Sequence, residues 1–268
     1  MFHQKILIEG KEKKAFLTTY ILDNYDEFSK NRIRPIVVIC PGGGYAMTSD
    51  REAEAVAIRM NNFGYHAAVL KYSVAPSRYP ESLIQLAKSL KLLRESAVEW
   101  NIDSQKIIIA GFSAGGHLAA SLGVSWHNEA IYRPYGLSSH QIQPNGLLLS
   151  YPVISSKTYG HKDSFLNLLG ENYEAEHHLH SLEDLVTGHT PKSFIWHTDE
   201  DDLVVAENSL NFVLNLRKAK VPVEFHLFTQ GGHGLSLANY ETNIGGYGIV
   251  EGAAVWPELF RTWVENNL

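Results

Sequence analysis

One cysteine, Cys40, stands in a chain of 268 residues. An internal disulfide is therefore impossible, and nothing in the cysteine usage points to an oxidising compartment. Its place at the end of an apolar run marks Cys40 as a small buried hydrophobe rather than a reactive thiol. Long apolar stretches are missing too: none approaches the roughly 18 residues of a membrane span, so no membrane partner is expected. Positive charge is scarce. The 23 Lys and Arg against 29 Asp and Glu give a formal net charge of −6, which argues against nucleic acid as a partner. The first twenty residues carry Lys5, Glu9, Lys11, Glu12, Lys13 and Lys14 without a long apolar core. They do not read as a signal peptide, and a cytoplasmic location is the expectation. There is no repeat, no low-complexity segment and no Pro/Gly/Ser linker. One domain spanning 1–268 is the economical reading.

What is present is an ordinary globular composition, with 44% apolar and 19% charged residues. Continuous apolar runs suggest strands at Ala15–Leu22, Ile36–Cys40, His66–Tyr72, Gly146–Tyr151, Ser193–His197 and Val223–Phe228. Helical spacing predicts helices over Arg51–Phe63, Pro80–Trp100, Gly115–Val124, Ala206–Ala219 and Ala253–Asn266. Such alternation predicts a mostly parallel sheet with helices on both faces. Ser155–Pro191 breaks the rhythm, with helical fragments near Ser164–Leu169 and Glu174–Leu185. It reads as a small cap over the carboxyl ends of the strands. The irregular stretch Ser125–Pro144 is a second candidate for that role.

The run Ile107-Ile108-Ile109-Ala110-Gly111-Phe112-Ser113-Ala114-Gly115 is a buried strand opening through Gly-x-Ser-x-Gly into a small-residue helix. That context is the one a nucleophile elbow requires, because the tight turn exposes the Ser113 hydroxyl above the sheet. Partners follow in the order Ser, acid, His. The strand Ser193–His197 runs into Asp199, Glu200, Asp201 and Asp202, and Val223–Phe228 opens into Gly231-Gly232-His233-Gly234. Ser113 would be the nucleophile, His233 the base and one acid the group that holds His233 in its tautomer. Asp201 is favoured; Asp202 and Asp199 are the fallbacks, since spacing does not reveal which side chain turns inward. Backbone N–H groups of Ala114, Gly43 and Gly44 are the candidate oxyanion donors, with Gly42 next.

Other features carry less. Gly42-Gly43-Gly44 lacks the Gly-Lys-Ser/Thr of a phosphate loop, and His177-His178-x-His180 lacks the His-Glu-x-x-His spacing of a zinc helix. The three histidines read as a polar face of the cap, and neither a metal nor a cofactor is expected. His117 reads as a packed residue of the elbow helix, and Tyr45 and Tyr72 as pocket wall or core.

Cys-Pro-Gly-Gly-Gly-Tyr at 40–45, Ser-Asp-Arg-Glu-Ala-Glu at 49–54 and Gly-Phe-Ser-Ala-Gly-Gly-His-Leu-Ala-Ala at 111–120 resemble α/β-hydrolase esterases. Tyr-Pro-Val-Ile at 151–154, Trp-His-Thr-Asp-Glu-Asp-Asp-Leu-Val at 196–204 and Gly-Gly-His-Gly-Leu-Ser-Leu-Ala at 231–238 extend the resemblance over nearly the whole chain. The group it resembles is the bacterial acetyl esterase and acetylxylan-esterase-like one, also described as lipases, esterases or sugar hydrolases. The resemblance implies an α/β-hydrolase fold, Ser113 and His233 in the triad, and oxyanion donors from the Gly loop. It also implies an aspartate four residues beyond His197, which is Asp201. Pro41 stands where relatives named for His-Gly-Gly-Gly have His, and Val204-Val205 where many have Val-Pro.

The sequence thus predicts a cofactor-independent serine carboxylesterase acting on a small ester with a short acyl group, with acetylated sugars as the implied substrate class. Two other readings stay open: a peptidase of the prolyl-oligopeptidase type, and a hydrolase-fold binding protein without catalysis. Oligomeric state is not legible.

Overall fold

The computed structural model of the chain describes residues 1–10, 13–27 and 29–268; Lys11 and Glu12 of the charged N-terminal stretch lie outside the described residues. Eight strands among them form one sheet: β1 (Lys5–Glu9), β2 (Lys14–Tyr20), β3 (Arg34–Cys40), β4 (His66–Lys71), β5 (Ile102–Phe112), β6 (Gly146–Ser150), β7 (Lys192–Thr198) and β8 (Val223–Phe228). Their spatial order is β1-β2-β4-β3-β5-β6-β7-β8. The first two join antiparallel, and everything from β4 to β8 runs parallel. This is the mostly parallel α/β-hydrolase sheet that the sequence predicts.

The apolar strands are buried on both faces, and their side chains divide by parity because successive residues point to opposite sides. Ile36, Val38 and Cys40 of β3 join Ile107 and Ile109 of β5 in one core layer. Val37 and Ile39 join Ile108, Ala110 and Phe112 in the other. Helices α2 (Glu81–Glu95) and α3 (Ala114–Ser125), together with Glu207–Lys218, supply Leu86, Leu90, Leu118, Leu122, Phe212 and Leu216 to the first layer. Helix α1 (Glu54–Asn62) and Trp256–Asn267 cover the second with Val56, Met60, Trp256 and Phe260.

Differences from the sequence reading fall at the edges. Strand β1 is not among the strands the apolar runs predict; it is an edge strand, largely exposed, held through its ladder to β2. Helix α2 stops at Glu95 rather than Trp100, and α1 begins only after a 3-10 turn at Asp50–Glu52. Between 155 and 191 the helix is Lys162–Leu169. The stretch from Glu174 onward breaks into single turns, Tyr173–Glu176, His177–His180 and Leu182–Leu185. Among the described residues, no helix is long and apolar enough to cross a membrane.

Candidate active site

The parallel strands deliver their carboxyl ends to one edge of the sheet, and four loops meet there. The first turns sharply from β5 into α3. Ser113 occupies that turn with φ 53° and ψ −121°, a conformation that costs a non-glycine residue on the order of 1–3 kcal/mol and persists only where surroundings enforce it. The enforcement is visible. Ser113 N–H donates to Ser150 O at 3.1 Å, and Ser113 O accepts from Gly116, His117 and Val153 N–H. Close approach needs Gly115: a methyl group there would lie 2.1 Å from Cys40 O and 2.4 Å from Pro41 O.

The second loop follows β7 and carries the four acids. Asp199, Glu200 and Asp202 are exposed, whereas Asp201 is only 3% exposed. Asp201 Oδ1 accepts the Leu203 and Val204 N–H groups at 3.1 and 2.9 Å. This Asx-type turn points its other oxygen at the third loop, where His233 Nδ1–H donates to Asp201 Oδ2 at 2.7 Å. With Nδ1 protonated, His233 Nε2 accepts from Ser113 Oγ–H at 2.8 Å. Ser113 is 8% exposed, so the hydroxyl lies at the floor of the site. Burial alone would raise the Asp201 pKa. The donors His197, His233 and Val204 N–H outweigh it and hold the carboxyl far below the usual carboxylate range.

The loop after β3 lines the opposite side. Gly43 and Gly44 adopt φ 122° and 62°, open to glycine and strained for other residues. The N–H groups of Gly43, Gly44 and Ala114 are not taken up by hydrogen bonds to other described residues. Gly42 differs: its N–H donates to Glu52 Oε2 at 2.7 Å, so it is not free for a ligand. Asn167 Nδ2 of the helix Lys162–Leu169 donates to Gly44 O at 2.9 Å, tying the 155–191 segment to this loop.

His117 is buried behind the loop. Its Nε2–H donates to His180 O at 3.1 Å, and its Nδ1 accepts from Tyr45 Oη at 3.0 Å. Burial drives its pKa down to about 3, so the ring is a neutral brace. Tyr45 and Tyr72 are both buried, and Tyr72 Oη–H donates to Pro41 O at 2.6 Å. His177 stacks on Tyr173 and His180 packs edge-on to Tyr79. Among the described residues no three His, Cys, Asp or Glu side chains group as metal ligands. Cys40 is fully buried, and burial pushes its thiol pKa up.

Sequence reasoning missed Glu52, Tyr151 and His197 as neighbours of the site. Glu52 is a buried acid eight residues past Gly44, in the 3-10 turn ahead of α1, and nothing in its local sequence pattern marks it.

A family model described as BD-FAE matches residues 22–216. Endo-1,4-beta-xylanase B of Butyrivibrio fibrisolvens is 38% identical over 213 residues, 78% of this chain and 33% of that protein. An acetylxylan esterase of Xylanibacter ruminicola is 28% identical over 211 residues, 76% of this chain and 42% of the other. The chain therefore spans less than half the length of these two relatives. Among solved structures, a carboxylesterase from Lactobacillus plantarum superposes with a TM-score of 0.89 at 31% identity, covering 99% of this chain and 97% of that one. An acetyl ester-xyloside bifunctional hydrolase from Caldicellulosiruptor lactoaceticus does so with a TM-score of 0.82 at 34% identity, over 95% and 89%.

Proposed function

The chain belongs to the BD-FAE family, and from that premise we propose that it is a serine carboxylesterase for short acyl esters, acetyl groups on carbohydrate above all. The observation that carries the reading is the unbroken hydrogen-bond chain Ser113–His233–Asp201, with links of 2.8 and 2.7 Å. The names of the relatives support the substrate class.

In this mechanism Ser113 Oγ attacks the ester carbonyl while His233 Nε2 takes its proton. Asp201 holds the proton on Nδ1 and stabilises the imidazolium that forms. Charge collects on the carbonyl oxygen of the tetrahedral intermediate. The N–H groups of Gly43, Gly44 and Ala114 are the donors assigned to it. Collapse expels the alcohol, which receives the proton from His233 and leaves an acyl group on Ser113. Water, deprotonated by His233, attacks that acyl group, and the acid departs as Ser113 regains its proton. The 155–191 segment acts as a cap on the single domain and shapes access, as its bond to Gly44 suggests.

The test is acetate release from acetylated xylo-oligosaccharides beside p-nitrophenyl acetate and butyrate, using the protein and its Ser113→Ala variant. Ser113-dependent release from the sugar supports the full proposal. Cleavage of the activated esters alone removes the carbohydrate part, and wild-type turnover by Ser113→Ala removes the mechanism.

A further inference from the structure

Glu52 is a carboxylate with 4% exposure, placed between the oxyanion loop and α1. Burying a charge is costly unless every lone pair is used, and here both oxygens are engaged. Oε2 accepts Gly42 N–H at 2.7 Å, and Oε1 accepts Tyr151 Oη–H at 2.7 Å. Tyr151 Oη in turn accepts Ser236 N–H at 2.8 Å, three residues beyond His233. Ser236 Oγ–H returns to Arg51 O at 2.6 Å, and Trp256 Nε1–H donates to Ser236 O at 2.9 Å.

The hydrogen bonds around the group suit its ionised form. Gly42 can only donate, and Tyr151 Oη, which accepts Ser236 N–H, donates its own proton to Glu52. Both Glu52 oxygens therefore act as acceptors, as in a carboxylate. Burial raises its pKa above the ordinary value, and the Tyr151 and Gly42 donors with the nearby His233 and Arg51 offset part of that rise.

The consequence lies at the Pro41–Gly42 peptide. Tyr72 Oη–H holds its carbonyl at 2.6 Å, and Glu52 holds its N–H at 2.7 Å. A peptide plane gripped at both ends cannot rotate, and the next N–H groups along the chain are those of Gly43 and Gly44. Gly42 also sits against the nucleophile, since a methyl group there would lie 2.9 Å from Ser113 Cβ. Tyr151 reaches the other side, its ring edge-on to His233 with centroids 5.1 Å apart. One buried carboxylate thus ties the oxyanion loop to the loop that carries the general base.

We propose that Glu52 is the positioning residue of this site: acting through Gly42 and through Tyr151–Ser236, it fixes the oxyanion donors and the His233 loop in register around Ser113. This inference rests on the serine-hydrolase reading above. Glutamine cannot replace it in kind. An amide offers one acceptor and one donor group, so either Gly42 N–H faces another donor or the Tyr151 hydroxyl must accept and turn its own proton away.

The test measures the rate at which a fluorophosphonate labels Ser113, which needs the nucleophile and the oxyanion donors but no known substrate. Alongside it, kcat and KM are measured on p-nitrophenyl acetate and unfolding is followed by calorimetry. Glu52→Gln is expected to label and turn over about 10–100-fold more slowly with KM within about threefold, because small displacements of preorganised donors cost rate rather than binding. Tyr151→Phe, which deletes a single oxygen and guards against misfolding of the first variant, should lose about 3–30-fold in the same way. Glu54→Gln, at an exposed neighbour that accepts from Tyr20 Oη at 3.1 Å, should match the wild type. The proposal is overturned if Glu52→Gln or Tyr151→Phe, folded, labels and turns over within about twofold of wild type, whatever its melting temperature. An unlabelled wild-type Ser113 would sink the serine-hydrolase reading itself, and this one with it.

Discussion

His197 Nε2 lies 3.3 Å from Asp201 Oδ2, the same oxygen that His233 Nδ1 reaches at 2.7 Å. Two imidazoles thus share one carboxylate oxygen, one fully buried and one at the site. His197 is itself held at both nitrogens: Nε2–H donates to Val204 O at 2.7 Å, and Nδ1 accepts Ser209 Oγ–H at 2.8 Å. It is a strut that braces the Asp201 loop from the side away from the solvent.

Replacing that strut should cost both stability and rate. His197→Phe leaves Val204 O and the Ser209 hydroxyl buried without partners, at about 1–3 kcal/mol for each orphaned group. Calorimetry should show a melting temperature lower by on the order of 5–10 °C. Slower turnover of p-nitrophenyl acetate should accompany it. An unchanged melting temperature would show that His197 is not a strut.

Asp201→Asn separates the acid's role from its neighbours'. The amide presents a donor where His233 Nδ1–H needs an acceptor, which favours the wrong tautomer. In the serine-protease triad the same change costs about 10⁴-fold in kcat, and a loss of about 10³–10⁴-fold is expected here with KM little altered. If Asp199→Asn or Asp202→Asn is the damaging change instead, the assignment of the acid is wrong.

Gly115→Ala tests how the elbow is built. The added methyl group would meet two backbone carbonyls at 2.1 and 2.4 Å, and neither can swing away as a side chain could. Overpacking of this kind costs about 1–3 kcal/mol or more. The variant should melt on the order of 10 °C lower and lose activity, as read by circular dichroism and esterase assay together. A fully stable, active Gly115→Ala would contradict the close helix–strand approach.

Stability should fall as the solution is made mildly acidic. Burial lowers the pKa of His66 from 6.5 to about 4, of His117 to about 3 and of His180 to about 4. At His66 burial outweighs the Nε2–H bond to Asn101 O, which by itself favours the charged ring, and Nδ1 is taken up in accepting Leu22 N–H. Each ring stays neutral when folded and takes a proton when unfolded. The stabilisation is therefore intact above pH 6.5 and drains away as pH falls toward 4. The slope approaches about 1.4 kcal/mol per pH unit for each histidine. Urea unfolding at pH 7, 6 and 5 should show this slope, and His66→Gln should make it shallower by about one histidine's share. A pH-independent midpoint across that window would refute it.

Much of the fold was legible because the deciding interactions are local or statistical along the chain. Apolar runs such as Ile36–Cys40 and the stripe of Leu83, Leu86, Leu90 and Leu93 announce buried strands and helices wherever they fold. Strand β1 was not legible, since a largely exposed edge strand has little apolar patterning and exists through its pairing with β2. The fragment Glu174–Leu185 reads as helical from the sequence but breaks into single turns rather than a continuous helix.

At the site the division is sharper. The elbow around Ser113 is a local steric requirement, and the order of the acid and His233 after it follows from chain connectivity; both are written in the sequence. Which of four adjacent acids turns inward depends on backbone dihedrals within one loop, and burial and the Val204 N–H select Asp201. Glu52 is further from view. Its partners Gly42 and Tyr151 lie 10 and 99 residues away along the chain. Only the tertiary structure brings them to one carboxylate, because hydrogen bonding acts over a few ångströms of space and carries no signature in sequence distance.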